Sequence, residues 1–265
     1  MKVDGAELHV EDTGGSGPAI AFSHGLLWST TMWRFQIAAF RDAYRCIAWD
    51  HRGQGKSEVT ASGYDMDTLA QDAAAVIERL GAAPVDFVGL SMGGFVGMRL
   101  AARRPELVRT LALLDTAADT EPLLNRPRYA LMALLAQLIG TAPLVRPVMQ
   151  IMFGRAFRED PSRAQLRADL IHELSAMDLG GMKRAVFGVI RREPVAAEEL
   201  AKIRCPTLVI SGEEDAGIAP ARSRRLLAQL PGARWTAIPR AGHTSSIEEP
   251  EAVNAALRQF WAAVH

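Results

Sequence analysis

A chain of 265 residues that sets 30 lysines and arginines against 30 aspartates and glutamates has no surplus positive charge for a nucleic-acid backbone. Its 49% hydrophobic and 23% charged content excludes disorder, and a chain of this length buries roughly three quarters of its unfolded surface without staples. The two cysteines, Cys46 and Cys205, stand beside apolar residues outside any C-x-x-C or metal-ligand spacing, so reduced, buried thiols are expected.

The opening residues Met1 to Gly5 lack the apolar run of a secretory signal. Leu8 to Asp12 reads as a first strand, and Gly14 to Pro18 as a turn. Ala19 to Phe22 is a short apolar run ending at Ser23-His24-Gly25; Tyr44 to Trp49 is another, ending at Asp50-His51-Arg52-Gly53. Leu69, Ala73, Val76, Ile77 and Leu80 fall at helical spacing, with Asp67 as N-cap and Gly81 as the stop. Val85 to Val88 is a third strand, Gly94 to Arg103 a helix, and Thr110 to Leu114 a fourth strand. Apolar strands alternating with helices predict parallel β-α-β units covered on both faces.

The alternation stops near Ala117, and up to Leu200 there are only helical segments, broken by Pro122, Pro127, Pro143, Pro147 and Pro161. The greasiest stretch, Ala130 to Val145, is interrupted by Gln137, Gly140, Thr141 and Pro143, too broken to span a bilayer. A soluble, cytoplasmic protein without a membrane partner is therefore expected. The methionines here, Met132, Met149, Met152, Met177 and Met182, read as helix-packing residues rather than pocket lining, although a thioether wall would adapt to apolar substrates. After Pro206 the pattern resumes, with a strand Thr207 to Ile210, a helix through Leu226 and Leu227, a strand Arg234 to Ile238 and a last helix after Pro250. Arg222, Arg224 and Arg225 read as a solvated helix face. The expected layout is an α/β core of residues 1–117 and 201–265 carrying a helical cap of residues 118–200, since structureless loops that long are uncommon.

The strongest chemical signal is Gly89-Leu90-Ser91-Met92-Gly93, a G-x-S-x-G set between a strand and a helix. A turn that sharp crowds its neighbours, and glycine on either side relieves the clash. It lifts the Ser91 hydroxyl above the sheet at a helix N-terminus, where backbone N–H groups stabilise developing negative charge. Serine alone is a weak nucleophile, so it needs a base and an acid that orients the base. Both must come from the carboxyl ends of other strands. His243 lies just beyond the strand ending at Ile238, and Asp215 follows the strand ending at Ile210. Glu213, Glu214 and Asp115 are rivals for the acid. The order Ser91, Asp215, His243 is the one expected of this architecture. Backbone N–H groups of Met92 and Leu26 are the expected oxyanion donors. His24 is expected to fix its own turn, and His51 to hold the Asp50–Ser57 loop. His172 sits in the helical insertion, while His9 and His265 lie near the termini.

Together, His24-Gly25, Asp50-His51-Arg52-Gly53-Gln54-Gly55-Lys56-Ser57, Gly89 to Gly94, Gly212 to Asp215 and Gly242-His243 resemble the α/β-hydrolase superfamily. Gly89 to Gly94 and Ala241 to Glu248 look most like 3-oxoadipate enol-lactonases and small carboxylesterases, as does His24 to Trp28. The resemblance implies an α/β-hydrolase fold, a mostly parallel sheet with helices on both faces and a helical cap. It also implies a serine hydrolase for a small, partly apolar ester or lactone, needing no metal or organic cofactor. Serine at position 91 disfavours haloalkane dehalogenases and epoxide hydrolases, which use aspartate. Thr244 stands where C–C hydrolases of this fold carry tryptophan. Cofactor-free haloperoxidases (perhydrolases) keep the same triad and stay open as an alternative, as does a small-molecule receptor; homodimerisation is left open.

Overall fold

The computed structural model describes residues 1–264. Nine strands form: β1 Lys2–Val3, β2 Ala6–Glu7, β3 Val10–Asp12, β4 Ala19–Ser23, β5 Arg45–Trp49, β6 Val85–Leu90, β7 Val108–Leu114, β8 Thr207–Gly212 and β9 Arg234–Ile238. The first two make a small antiparallel hairpin. The other seven form one sheet in the order β3-β5-β4-β6-β7-β8-β9. Only the pairing of β3 with β5 is antiparallel. The central strands are apolar in succession because each face has its own core. Ala21, Phe87, Leu111 and Val209 point into one cluster, while Phe22, Val88, Ala112 and Ile210 point into the other.

Helices cover both faces. On one side lie α2 Met66–Arg79 and α3 Met92–Arg103, on the other α1 Arg34–Phe40. Between β7 and β8 the chain is helical: α4 Asn125–Ile139, α5 Val145–Met152, α6 Arg155–Glu159, α7 Ala164–Ser175, α8 Leu179–Ile190 and α9 Ala197–Leu200. After β8, α10 Pro220–Ala228 returns to the first face; after β9, α11 Ser245–Glu248 and α12 Pro250–Ala262 close the second. No helix among the described residues is long and apolar enough to cross a membrane.

Several local expectations change. The first strand shortens to Val10–Asp12, and the residues before it form the β1–β2 hairpin. The N-cap of α2 is Asp65, whose carboxylate accepts the Thr68 N–H at 2.9 Å, instead of Asp67, which turns outward to Arg99 and Arg103. Helix α1 has no counterpart in the sequence reading. It is only seven residues long, follows a 3₁₀ turn, and buries just Gln36 and Phe40, too little for a periodic signal. Cys46 is buried as expected, whereas Cys205 is half-buried. Arg222 is buried against Asp119 at 3.0 Å and does not belong to a solvated face; Arg224 and Arg225 are exposed.

Candidate active site

Chain direction brings the strand ends together. The chain passes from β4 to β5 on one side, then returns to place β6 on the other side of β4. Ligands of open α/β sheets bind at such a switch point. Ser91 follows β6 directly, at φ +51° and ψ −108°, a left-handed backbone that serine rarely adopts. The surroundings enforce it. A Cβ on Gly89 would sit 2.3 Å from the Gly93 carbonyl oxygen, and one on Gly93 would sit 2.0 Å from that of Ser23. Strand and helix approach this closely only because both positions are glycine. The Ser91 N–H donates to the Leu114 carbonyl at 2.8 Å, tying the turn to β7.

The side chains of Ser91, His243 and Asp215 lie in one hydrogen-bonded row. His243 Nε2 is 2.9 Å from Ser91 Oγ, and His243 Nδ1 is 3.0 Å from each Asp215 oxygen. An Nδ1 proton donated to the carboxylate leaves Nε2 free to accept from the serine. Asp215 is itself held by the N–H groups of Gly217 and Ile218, both donating to Oδ1 at 2.8 Å. Burial works to lower the His243 pKa. The charge and hydrogen bond of Asp215 oppose it, and the balance lies above the usual value.

The rival acids point elsewhere. Asp115, at the end of β7, accepts the Gly212 N–H at 2.7 Å and the Ser245 hydroxyl. Burial, reinforced by the Asp215 charge, pushes its pKa up to about 8. Glu213 and Glu214 are exposed, and Glu214 accepts the Ala156 N–H at 2.9 Å.

The N–H groups of Met92 and Leu26 have no hydrogen-bond partner among the described residues. Met92 opens α3, where the helix dipole presents partial positive charge. Next to Leu26, Leu27 adopts φ +68°, and its N–H donates to Gln54 Oε1 at 2.8 Å. Gln54, which the sequence reading passed over, therefore pins the loop carrying Leu26. His24 donates from Nδ1 to the Gly25 carbonyl at 2.7 Å and accepts the His51 N–H on Nε2 at 2.9 Å. It is a neutral turn-holding residue whose pKa burial lowers. The His51 ring meets Ser23 Oγ at 2.9 Å, across the sheet end. Its expected work on the 50–57 loop falls to Asp50, whose carboxylate takes the Lys56 and Thr30 N–H groups at 2.8 and 2.6 Å. His9 pairs with Glu11 and His172 is exposed, while His265 lies outside the described residues.

A second overlooked residue is Glu248. It is fully buried and accepts the N–H groups of Gly154, Gly242 and Thr244 at 2.8 to 3.0 Å, clamping both neighbours of His243. Its sequence signal, Thr-x-x-x-Glu, is one residue longer than a capping box. Above Ser91 and His243 lies a cavity of about 150 Å³. Met132, Met152, Met177 and Met182 line it; Met152 and Met182 also pack in the helical clusters as expected, with Met177 against them, and Met149 is buried away from the cavity. The helical wall is concave over the serine, and unbranched thioethers fill such irregular space well. Its charged lining residues are Glu121 and Arg192.

A family model described as alpha/beta hydrolase fold matches residues 18–250. A provisionally named non-heme bromoperoxidase, BpoC of Mycobacterium tuberculosis, is 33% identical over 262 residues, spanning 96% of this chain and 97% of that protein. Among solved structures, the enol-lactonase from Burkholderia xenovorans superposes with a TM-score of 0.89 at 30% identity, covering 98% of each chain. A thermophilic esterase from Thermogutta terrifontis gives a TM-score of 0.89 at 28% identity, covering 98% of this chain and 94% of its own.

Proposed function

The chain belongs to the alpha/beta hydrolase fold family, and on that premise we propose that it is a serine hydrolase of small carboxylic esters or lactones, working through an acyl-enzyme. The observation that carries the reading is the row Asp215–His243–Ser91, at 3.0 and 2.9 Å, opening into an apolar cavity. Ser91 Oγ attacks the carbonyl carbon while His243 Nε2 takes its proton. The carbonyl oxygen becomes an oxyanion facing the N–H groups of Met92 and Leu26. His243 returns the proton to the departing alkoxide, which in a lactone stays attached to the acyl chain. Water, deprotonated by His243, then cleaves the ester to Ser91 and restores the hydroxyl. Asp215 holds the imidazole in the required tautomer and stabilises its cationic form. Helices within residues 118–200 act as a cap on a core of 1–117 and 201–265, excluding water and selecting the acyl or alcohol part.

Likeness to BpoC favours a second reading, in which hydrogen peroxide replaces water as acceptor and the product is a peracid. Both readings share the acyl-enzyme and Ser91. The Ser91→Ala variant is expected to lose p-nitrophenyl acetate hydrolysis by on the order of 10⁴-fold, because the three groups act as a unit. An alkyl fluorophosphonate should phosphonylate Ser91 with loss of fluoride, adding the reagent's mass less HF, in the wild type alone. Wild-type turnover in the variant would remove Ser91 from the mechanism. A stoichiometric burst with almost no steady state would favour a receptor.

A further inference from the structure

Helix α4 is apolar on two sides. Its inner side packs against α8 through Ala133 and Ala136, and Tyr129 and Met132 line the cavity above Ser91. Its outer side faces solvent. Leu131, Leu134, Leu138 and Ile139 are 46% to 79% exposed, and Leu123 and Leu124, just before the helix, 75% and 89%. Val59 apart, these six are all of the exposed large apolar side chains among the described residues. Such a concentration marks a contact surface, and a helix apolar all round is ordinarily covered. The stripe has a definite spacing. Positions 124, 127, 131, 134 and 138 follow at alternating intervals of three and four, with leucine at all but Pro127. That is the narrow seam by which one helix packs along another. A lipid surface asks instead for a broad apolar face edged with cations along its length.

Electrostatics sets the direction of the partner. Arg126 and Arg128 lie in the first turn of α4, and its last turn has no basic residue, the reverse of what the helix dipole favours. No acidic residue stands between Glu121 and Glu159, and exposed Arg128 has no hydrogen bond or ion pair among the described residues. At the other end Gly140, at φ +78°, stops the helix. The carbonyls of Gln137, Leu138 and Ile139 there accept no hydrogen bond among the described residues. Each end of α4 lacks what the other end offers.

We propose that α4 is the self-association surface of a two-fold homodimer, its outer stripe laid antiparallel along the same stripe of a second copy. With the axis between Leu131 and Leu134, Leu131 of one copy faces Leu134 of the other, and Pro127 faces Leu138. Arg128 then comes level with Gln137 in the last turn of the opposite helix, where open carbonyls and the negative end of the dipole receive it. The two Arg128 side chains stand nine residues apart along the pair, about 14 Å of helical rise, so salt screens their repulsion. A two-fold contact is self-complementary, so one stripe serves both chains. The seam holds α4 from outside while its inner side shapes the cavity.

Sedimentation velocity at micromolar concentration tests it. The wild type is expected to run as a dimer of two 28.8 kDa chains. Leu131→Lys combined with Leu138→Lys should run as a monomer with unchanged far-ultraviolet circular dichroism, since both side chains are exposed. The antiparallel direction has its own test. Arg128→Glu sets an acid against the partner's open carbonyls, and the dimer dissociation constant should rise about tenfold. A wild type that stays monomeric would overturn the proposal, whether its leucines then bind phosphatidylglycerol vesicles or nothing. A dimer that survives both lysines, or whose affinity Arg128→Glu leaves unchanged, would overturn it too.

Discussion

Asp115 and Asp215 end neighbouring strands, yet their carboxyls meet different partners. Asp215 gives both oxygens to His243, whereas Asp115 faces Gly212 and Ser245, and burial keeps it protonated up to about pH 8. A neutral carboxylic acid is closely copied by asparagine; an imidazolium partner is not. Asp215→Asn is therefore expected to lower kcat by on the order of 10³- to 10⁴-fold, and Asp115→Asn to retain kcat within about tenfold. The pH profile separates the two further. Attack needs neutral His243, whose pKa stands above the usual value chiefly because the Asp215 charge and hydrogen bond outweigh burial. Activity should rise with pH through that raised pKa, and the acid limb should move to lower pH in Asp215→Asn. The assignment fails if Asp115→Asn is the crippled variant and Asp215→Asn keeps the wild-type limb.

At the scale of elements, the site is precise where a loop is clamped from outside. His243 sits between β9 and α11, and Glu248 from α11 bonds the backbone on both sides of it while also holding Gly154 before α6. Replacing Glu248 by glutamine removes one acceptor oxygen and turns an NH₂ group towards a backbone donor. Displacement of His243 by even a fraction of an ångström should cost kcat about tenfold to a hundredfold, with KM little changed. Equal losses in kcat and in thermal stability, with KM rising, would mark Glu248 as merely structural. The contrast between Ser91 and Glu248 also shows what a sequence can say. Ser91 was legible because strand, glycines and helix are contiguous, so the clash at Gly89 and Gly93 is written into five successive residues. The α/β core is legible from apolar runs alternating with helical stretches, whereas the order of the strands is set by pairings between segments far apart in the chain and leaves no local signal. Glu248 was opaque because one of its three donors lies 94 residues away. Helix α1 is too short to show a period, and the sequence points to Asp67 as the cap that Asp65 makes because both acids precede the same apolar stripe. That several of the packing methionines also face a cavity is hidden for a related reason. Thioethers read alike whether they face a core or a cavity, and only the fold of residues 118–200 over Ser91 decides which.

Across the whole molecule, these site groups give stability a definite pH dependence. Burial raises Asp115 from 3.8 to about 8 and Glu248 from 4.5 to about 7, and His243 is raised as well. For each, the folded state binds its proton more tightly than the unfolded chain does. Their stabilising contribution is complete below the unfolded values and is lost as pH rises through the folded ones. Acids elsewhere act with the opposite sign. The hydrogen bond from Arg45 holds Asp12 low; Asp119 is held low by Arg222 and Arg225 against the effect of burial, and Asp65 by Thr68 likewise. Those contributions are present above 3.8 and are lost as pH falls through the lowered folded values. Stability should therefore peak on the mildly acidic side and fall from about pH 7 to about pH 9, where Asp115 and Glu248 give up their protons inside the fold. Differential scanning calorimetry across that range should show Tm dropping for the wild type and dropping less for Asp115→Asn, which has no proton to lose. A wild-type Tm that is flat or rising between about pH 7 and 9 would mean that Asp115 and Glu248 are not held protonated at neutral pH. The buried acids packed around His243 would then be ionised at neutral pH, and the electrostatics proposed for the Asp215–His243–Ser91 row would have to be rebuilt.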